Sequence, residues 1–471
     1  MLKKILLYEH DILEKDDILE KHDRLEKHDR LEKKDYKDKN WEHLLTKLRK
    51  INKDYSNIKK DDEKDGNKGI ITLYSDHIKA GSIVGIIATP VATIEILPKI
   101  FKYRNDEDGT DNRTGLIRLL SYVFDLPKKL PEAHLRRFKN LLEYYIRLFA
   151  EMLYDRLMSN FRREFVAVED NSRYLKGHLL IAENIRHNYI HKERFFVRYD
   201  EFSPDNLLNR ILKFTCKLLF NYTIQSQTKN ILNQCLSFFE EVSDAEVTSD
   251  DVECLRITRM TEDYRKIIDL VRLFIRYYSP TTEAGGHPTF AIAFDMEELF
   301  EKFCYRFIRA HLGQICKKLK SCNVEKQKDR YLLKVKDKDE KLFQLETDIS
   351  ITRGDESEVI IDTKYKELKE ATEGSIYKEH HGISQGDLYQ MFAYLKKYEC
   401  KDGILLYPKY EGENSFNIME GKDNDDYYNM EYDNDTKLHI RQVSLACLSD
   451  RGWHNKMIDE FKGCFYGLDN L

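Results

Sequence analysis

Two aspartates and a lysine toward the C-terminal end have the types and spacing to hydrolyse a phosphodiester. The stretch LFQLETDISI, Leu342 to Ile351, carries Asp348, and EVIIDTKYK, beginning at Glu358, carries Asp362, Lys364 and Lys366. Read with a strand's two-residue period, Phe343, Leu345, Ile349 and Ile351 face one side, and Glu346 and Asp348 the other. After the turn signal Arg353-Gly354-Asp355, Val359 and Ile361 share one face, and Asp362, Lys364 and Lys366 the opposite one. Such a hairpin brings two carboxylates and a lysine together. Their hard oxygens suit Mg²⁺, with Mn²⁺ as the alternative, an ion that polarises a phosphodiester and lowers the pKa of bound water. Lys364 would orient that water and stabilise charge developing on the phosphate. An Asp and a Lys two apart are equally an ordinary ion pair on a solvated strand, so the neighbouring elements must decide.

Those elements favour chemistry. SQGDLYQMFAYLKKY, Ser384 to Tyr398, reads as an amphipathic helix with Gln390 and Tyr394 on one face at an i, i+4 spacing. Upstream, the helical segment MEELFEKFCYRF presents Glu301. D…D-x-K followed by Q-x-x-x-Y resembles the RecB-like branch of PD-(D/E)xK nucleases, and Glu301 resembles the helix glutamate that many of them add to a metal site. A closer resemblance rests on several ordered motifs. IIDTKYKEL, GDLYQMFAYLKKY and GILLYP are similar to the nuclease half of McrC, the cleavage subunit of McrBC-type 5-methylcytosine restriction systems. FDMEELFEKF, RYDEFSPDNLLNRILK, YLKGHL and VATIEILPKI resemble further McrC segments, so the likeness covers most of residues 70–410 and the final strand. The family usually carries proline before the first aspartate, where this chain has Thr347.

The resemblance implies a metal-dependent DNA endonuclease subunit. Asp348, Asp362, Lys364, Gln390 and Tyr394 would form its catalytic set, with Asp348, Asp362 and Glu301 holding the metal. It also implies a partner, a McrB-like AAA+ GTPase hexamer that recognises modified double-stranded DNA and translocates it, and whose GTP hydrolysis this chain's N-terminal part stimulates. The sequence agrees independently: none of the 20 glycines begins a G-x-x-x-x-G-K-[ST] phosphate loop, so GTP would be bound by the partner. Two other functions stay open: a catalytically idle nuclease fold serving as activator and scaffold of the ring, and a RecB-like DNA repair nuclease working with a helicase. Lys366, Lys378 and His381 are candidate DNA contacts, and His380 shares their loop. Glu346 ranks below Glu301 as a ligand. Asp205 and Asn206 read as helix starters, with Pro204 at the first turn.

The rest of the chain must position this site. Hydrophobic residues at 41% and charged ones at 34% mark an ordinary globular composition, and a net charge of -5 over 78 basic and 83 acidic residues leaves nucleic-acid binding to local patches. The apolar start is broken by Glu9 and His10 before a signal sequence develops, and no run approaches a membrane span of about 20 apolar residues. A cytoplasmic protein without membrane contact is expected. The nine cysteines include no C-x-x-C pair, and Cys304 reads as a core residue.

Four segments are expected. Residues 1–68 hold an N-terminal segment in which one hexapeptide recurs four times over residues 10–33 (HDILEK, DDILEK, HDRLEK, HDRLEK). A six-residue step rotates successive leucines by about 120° on a helix, so no coiled-coil stripe forms and an exposed helix is expected. Residues 69–130 form a small β-rich, partner-engaging module. Residues 131–285 form a helical middle region in which Leu135, Phe138, Leu142, Ile146, Phe149 and Leu153 mark one apolar face. Residues 286–471 form the α/β domain of PD-(D/E)xK restriction-endonuclease type, with an acidic insertion over 411–435, in a chain that is α+β overall.

Overall fold

The computed structural model describes residues 3–15, 41–46, 48–49, 51–53, 70–89, 92–102, 106, 109–127, 135–276, 278–279, 289–326, 330–334, 341–369, 381–412, 415, 429–433 and 436–468. The chain divides into two compact units: residues 1–128, 132–139 and 293–471 make the first, and residues 129–131 and 140–292 the second. The first unit thus gathers most of both stretches that a reading along the chain keeps apart, 69–130 and 286–471.

The site-bearing sheet of the first unit has six strands in the order Asn323–Glu325, Ile349–Arg353, Glu356–Thr363, Asp402–Pro408, Thr436–Val443 and Asn429–Asp433. Its centre is parallel, from Glu356–Thr363 through Asp402–Pro408 to Thr436–Val443. Strands of this kind are covered on both faces and therefore read as unbroken apolar runs. Asp402–Pro408, DGILLYP, is buried at every position. The helix Gln385–Tyr398 covers one face, and its Met391, Tyr394, Leu395 and Tyr398 form one core with Ile360, Leu405, Tyr407, Leu438 and Ile440. It lies so close that a Cβ on Gly403 would meet Met391 Sδ and a Leu395 methyl at 2.9 Å. The helices Met296–Ile315 and Trp453–Cys464 pack together, Phe307 stacking on Phe461 at 5.1 Å between centroids. Ser384 caps the first of these three helices and Asp295 the second, each accepting a backbone N–H of the first turn.

The N-terminal strand Lys3–Tyr8 runs parallel to Ala92–Leu97, which pairs antiparallel with Ile83–Ala88, so the β-branched runs expected as strands are strands. Arg113, on the helix Thr110–Val123, forks onto both oxygens of buried Glu95 at 2.8 Å. On the same helix Arg118 donates to the carbonyls of Leu448 and Asp450. The first hexapeptide copy departs from the expected exposed helix. Ile12–Glu14 is a strand paired with His77–Ala80, and Leu13 is buried. One leucine facing an apolar strand outweighs the helical preference of its charged neighbours. The other three copies and most of the acidic insertion lie outside the described residues.

In the second unit, the helices Leu141–Ser159, Leu207–Tyr222, Ser226–Phe238 and Arg265–Arg276 accompany a three-stranded sheet of Glu164–Ser172, Phe195–Ser203 and His178–Leu179. Leu142, Ile146, Phe149 and Leu153 are buried as their spacing predicts. Asn206 is the N-cap of its helix, accepting from Asn209 N at 3.0 Å. Pro204 therefore precedes the cap instead of occupying the first turn. Asp205 forms a fork with Arg210 and also accepts from Ser243, and these bonds, the Arg210 pair first, hold its carboxyl below the usual range.

Candidate active site

Antiparallel pairing of Ile349–Arg353 with Glu356–Thr363 aligns Ile349 with Ile361. Asp348 therefore lies opposite Asp362, one step beyond that pair. The expected unbroken strand over 342–351 does not form. Lys341–Leu345 pairs with Arg330–Lys334 in a separate ribbon, Phe343 has φ +58° and is 68% exposed, and a new strand starts only at Ile349. The break frees Asp348 from strand geometry. Its Oδ2 accepts from both the backbone N–H of Thr363, at 2.7 Å, and the Thr363 hydroxyl, at 2.8 Å.

Asp362 is 1% exposed because its strand is central and covered. Burial first, and the neighbouring Asp348 charge second, push its carboxyl up to about 7. Its Oδ2 is buried and pairs with the Lys364 ammonium 2.8 Å away. Burial alone would lower the Lys364 pKa, but Asp362 more than offsets it, so the amine stays cationic. Lys364 also donates to Gln390 Oε1 at 3.0 Å. Gln390 Nε2 donates to the Tyr394 hydroxyl, which donates to the Glu346 carbonyl, each at 2.8 Å. One turn further, Tyr398 donates to the Leu345 carbonyl at 3.0 Å. This helix face thus holds both Lys364 and the loop that carries Asp348.

Glu301 faces the same acids: burial, then the Asp348 charge, raises its pKa, while Lys326 forms an ion pair with it. Burial acts to lower the Lys326 pKa, but Glu301 raises it overall. Among the described residues no three His, Cys, Asp or Glu side chains gather closely enough to hold a metal alone. The donor set still fits a magnesium-type ion, which is commonly bound by one or two carboxylates together with water and phosphate oxygens. Asp362 Oδ2 is buried and held by the Lys364 ammonium at 2.8 Å, so a metal at this carboxylate would share it with that cation.

The remaining candidates lie further out. Lys366 pairs with buried Asp387 at 3.1 Å, and Asp387 also accepts from Tyr407. His381 Nδ1 lies 3.1 Å from the Lys369 carbonyl. Lys378 and His380 lie outside the described residues. Sequence reading missed four participants: Thr363, Lys326, Asp387 and Tyr398. Thr363 and Tyr398 carried a usable signal, a hydroxyl between the D and K of the motif and a second tyrosine four residues beyond Tyr394.

The fold and site together define a mixed α/β protein whose central hairpin sets two carboxylates and a cationic lysine against a Gln/Tyr helix. Residues 78–408 match the family model described as McrBC 5-methylcytosine restriction system component, and the chain belongs to that family. It is similar to the Escherichia coli K12 protein named type IV methyl-directed restriction enzyme EcoKMcrBC, 24% identical over 252 residues that span 50% of this chain and 67% of the relative. Its fold is similar to a solved chain of the Thermococcus gammatolerans assembly of McrB AAA+ hexamers with bound McrC. The TM-score is 0.65 at 21% identity, covering 97% of this chain and 100% of that one. Among the described residues no helix is long and apolar enough to cross a membrane.

Proposed function

We propose that this chain is the DNA endonuclease subunit of a GTP-dependent restriction complex that cleaves methylated DNA by metal-dependent phosphodiester hydrolysis. The observation that carries the reading is Asp348 one residue beyond the Ile349–Ile361 pair, close to a buried Asp362 whose Oδ2 is held by the Lys364 ammonium at 2.8 Å. Asp348 and Asp362 would hold Mg²⁺ or Mn²⁺, with Glu301 on hand once it leaves Lys326. The bound ion supplies a water of lowered pKa and neutralises phosphate charge.

This chain's residues supply the geometry. The Thr363 bonds fix one Asp348 oxygen and leave the other for a ligand. Lys364 stays protonated, so it donates to the attacking water or to a phosphate oxygen and does not serve as the base. Water oxygen would bond to phosphorus as the P–O bond to the leaving group breaks, the water's proton passing to solvent while the leaving oxygen takes one up, and Gln390 and Tyr394 keep Lys364 aligned with that path. Lys366 and His381, with Lys378 in the same stretch, would contact the DNA backbone.

Family membership and the likeness to a chain bound to AAA+ hexamers support a McrB-like GTPase ring as partner, one that binds the GTP and whose hydrolysis this chain stimulates. The test is Asp362→Ala assayed with that partner, GTP, Mg²⁺ and methylated duplex DNA. Cleavage should be lost while GTPase stimulation persists. Equal cleavage by variant and parent would overturn the site and leave the scaffold reading.

A further inference from the structure

The segment just after the catalytic strand alternates in what it touches. Lys364 reaches Gln390 and Asp362, and Lys366 reaches Asp387, all on the nuclease sheet and its helix. The two residues between and after them turn the other way, onto the N-terminal module. The Tyr365 hydroxyl donates to Glu9 Oε2 at 2.8 Å, and the Glu367 carboxylate pairs with Lys99 at 2.5 Å.

Glu9 is itself tightly held. It is 1% exposed, its backbone N–H bonds to the Leu97 carbonyl at 3.1 Å, and its Oε2 also accepts from Lys99 N at 2.8 Å. Its other oxygen is buried without a hydrogen-bond partner. Tyr365 packs its ring 5.8 Å from Phe300, the residue before Glu301. Ser415 donates to the second oxygen of Glu367 at 2.7 Å. Its backbone is tied to the sheet and to itself: Lys364 N bonds to the Leu406 carbonyl and Lys366 N to the Lys364 carbonyl. Side chains 356 and 268 residues earlier therefore help to hold it.

We infer that Glu9 and Lys99 are positioning residues of the nuclease site, gripping Tyr365 and Glu367 so that Lys364 stands over the two aspartates. A buried carboxylate with one oxygen unsatisfied is costly to keep, and here its other oxygen, Oε2, takes the hydroxyl of the tyrosine next to the catalytic lysine together with Lys99 N. Lys99, in the 69–130 module read from sequence as partner-engaging, and Glu9, in the segment before it, thereby have a direct mechanical hold on Lys364. This inference rests on the proposed nuclease function.

The test uses the full chain with its AAA+ partner, GTP and methylated duplex, and measures single-turnover cleavage at saturating DNA, DNA affinity in Ca²⁺, and thermal midpoint. Tyr365→Phe and Glu9→Ala should each slow cleavage by roughly 10- to 100-fold, the range for a small misplacement of a catalytic group, with DNA affinity unchanged. Glu9→Gln, whose amide oxygen still accepts both bonds, should recover most of the rate. The double variant Glu9→Ala/Tyr365→Phe should be no slower than the worse single one, since both remove one contact. Lys99→Glu and Glu367→Lys should each slow cleavage, and their combination should restore it. Parent-like cleavage by Tyr365→Phe and by both charge-reversed singles, beside an inactive Asp362→Ala, would overturn the positioning role and leave the nuclease site standing. An active Asp362→Ala would instead sink the nuclease reading.

Discussion

Two antiparallel pairs in this molecule look alike in sequence and behave differently in structure. Ile349–Arg353 with Glu356–Thr363, in the first unit, and Glu164–Ser172 with Phe195–Ser203, in the second, both mix β-branched and charged residues and both contain acid–base pairs. Helices cover the first pair, and its last five residues, Val359 to Thr363, are all buried. The second stays open, leaving Phe165 73% and Phe202 54% exposed. Its Glu169–Arg198 ion pair sits in solvent, whereas the Asp362–Lys364 pair is almost wholly enclosed. Coverage decides what a carboxylate can do. In water an acid beside a base is a weak surface contact, and under a helix layer the same pair becomes a desolvated one whose charges must be balanced inside the protein.

The largest expected effect tests that contrast directly. Asp362→Ala should lower methylated-DNA cleavage by about 1000-fold or more, the scale of a lost metal ligand or charge stabiliser, and Glu169→Ala should leave the rate unchanged. A comparable loss from both in a gel-based cleavage assay would end the distinction between them.

Stability should divide the same way. Arg113→Met leaves buried Glu95 without its two-pronged partner, and breaking an enclosed pair from one side costs about 3–5 kcal/mol. Arg198→Met on the open sheet should cost about 1 kcal/mol or less. Urea denaturation of the two variants measures both numbers. Similar midpoints would show that the enclosed pair is worth no more than the exposed one.

Enclosure also makes stability depend on pH. Burial pushes the Glu9 carboxyl from its ordinary range up to about 7, only partly opposed by the Lys99 and Tyr365 hydrogen bonds. A folded-state pKa above the unfolded one means the folded chain holds the proton longer. The resulting stability is fully present below the unfolded glutamate pKa and is lost as pH rises through about 7. Glu9→Gln has nothing to ionise, so the gap between variant and parent midpoints should widen in the variant's favour over that window. A constant gap would show that Glu9 ionises as easily folded as unfolded.

Reading residues alone reaches a good part of this arrangement, and the failures have physical causes. The two-residue period brings Asp348 and Asp362 into one hairpin, and the i, i+4 spacing puts Gln390 and Tyr394 on one helix face, since both are local regularities. The break at Glu346–Asp348 is not local: the ribbon Arg330–Lys334/Lys341–Leu345 draws the chain away, and Tyr394 and Tyr398 hold the carbonyls it exposes. The same blindness hides Lys326 on Glu301 and Glu9 on Tyr365, contacts whose partners are 25 and 356 residues apart. The first hexapeptide copy fails for a related reason. Its charge spacing favours a helix by only a few tenths of a kcal/mol per pair, less than burying Leu13 in a sheet returns.

Thr363 offers the finest test of how enclosure orders the site. Its side chain and backbone both donate to Asp348 Oδ2, and the residue is buried, so water cannot replace a donor that is removed. Thr363→Val keeps the shape and the backbone N–H but deletes the hydroxyl, removing one of two bonds to a charged oxygen, a contact worth about 1.5–3 kcal/mol. Part of that should appear as lower stability and part as a wandering Asp348, seen as a several-fold slower cleavage step that rising Mg²⁺ partly restores. Thr363→Ser, which keeps the hydroxyl, should cleave close to the parent rate. If Val and Ser variants slow cleavage equally, the packing of the methyl group and not the hydrogen bond is what holds Asp348 against its partner.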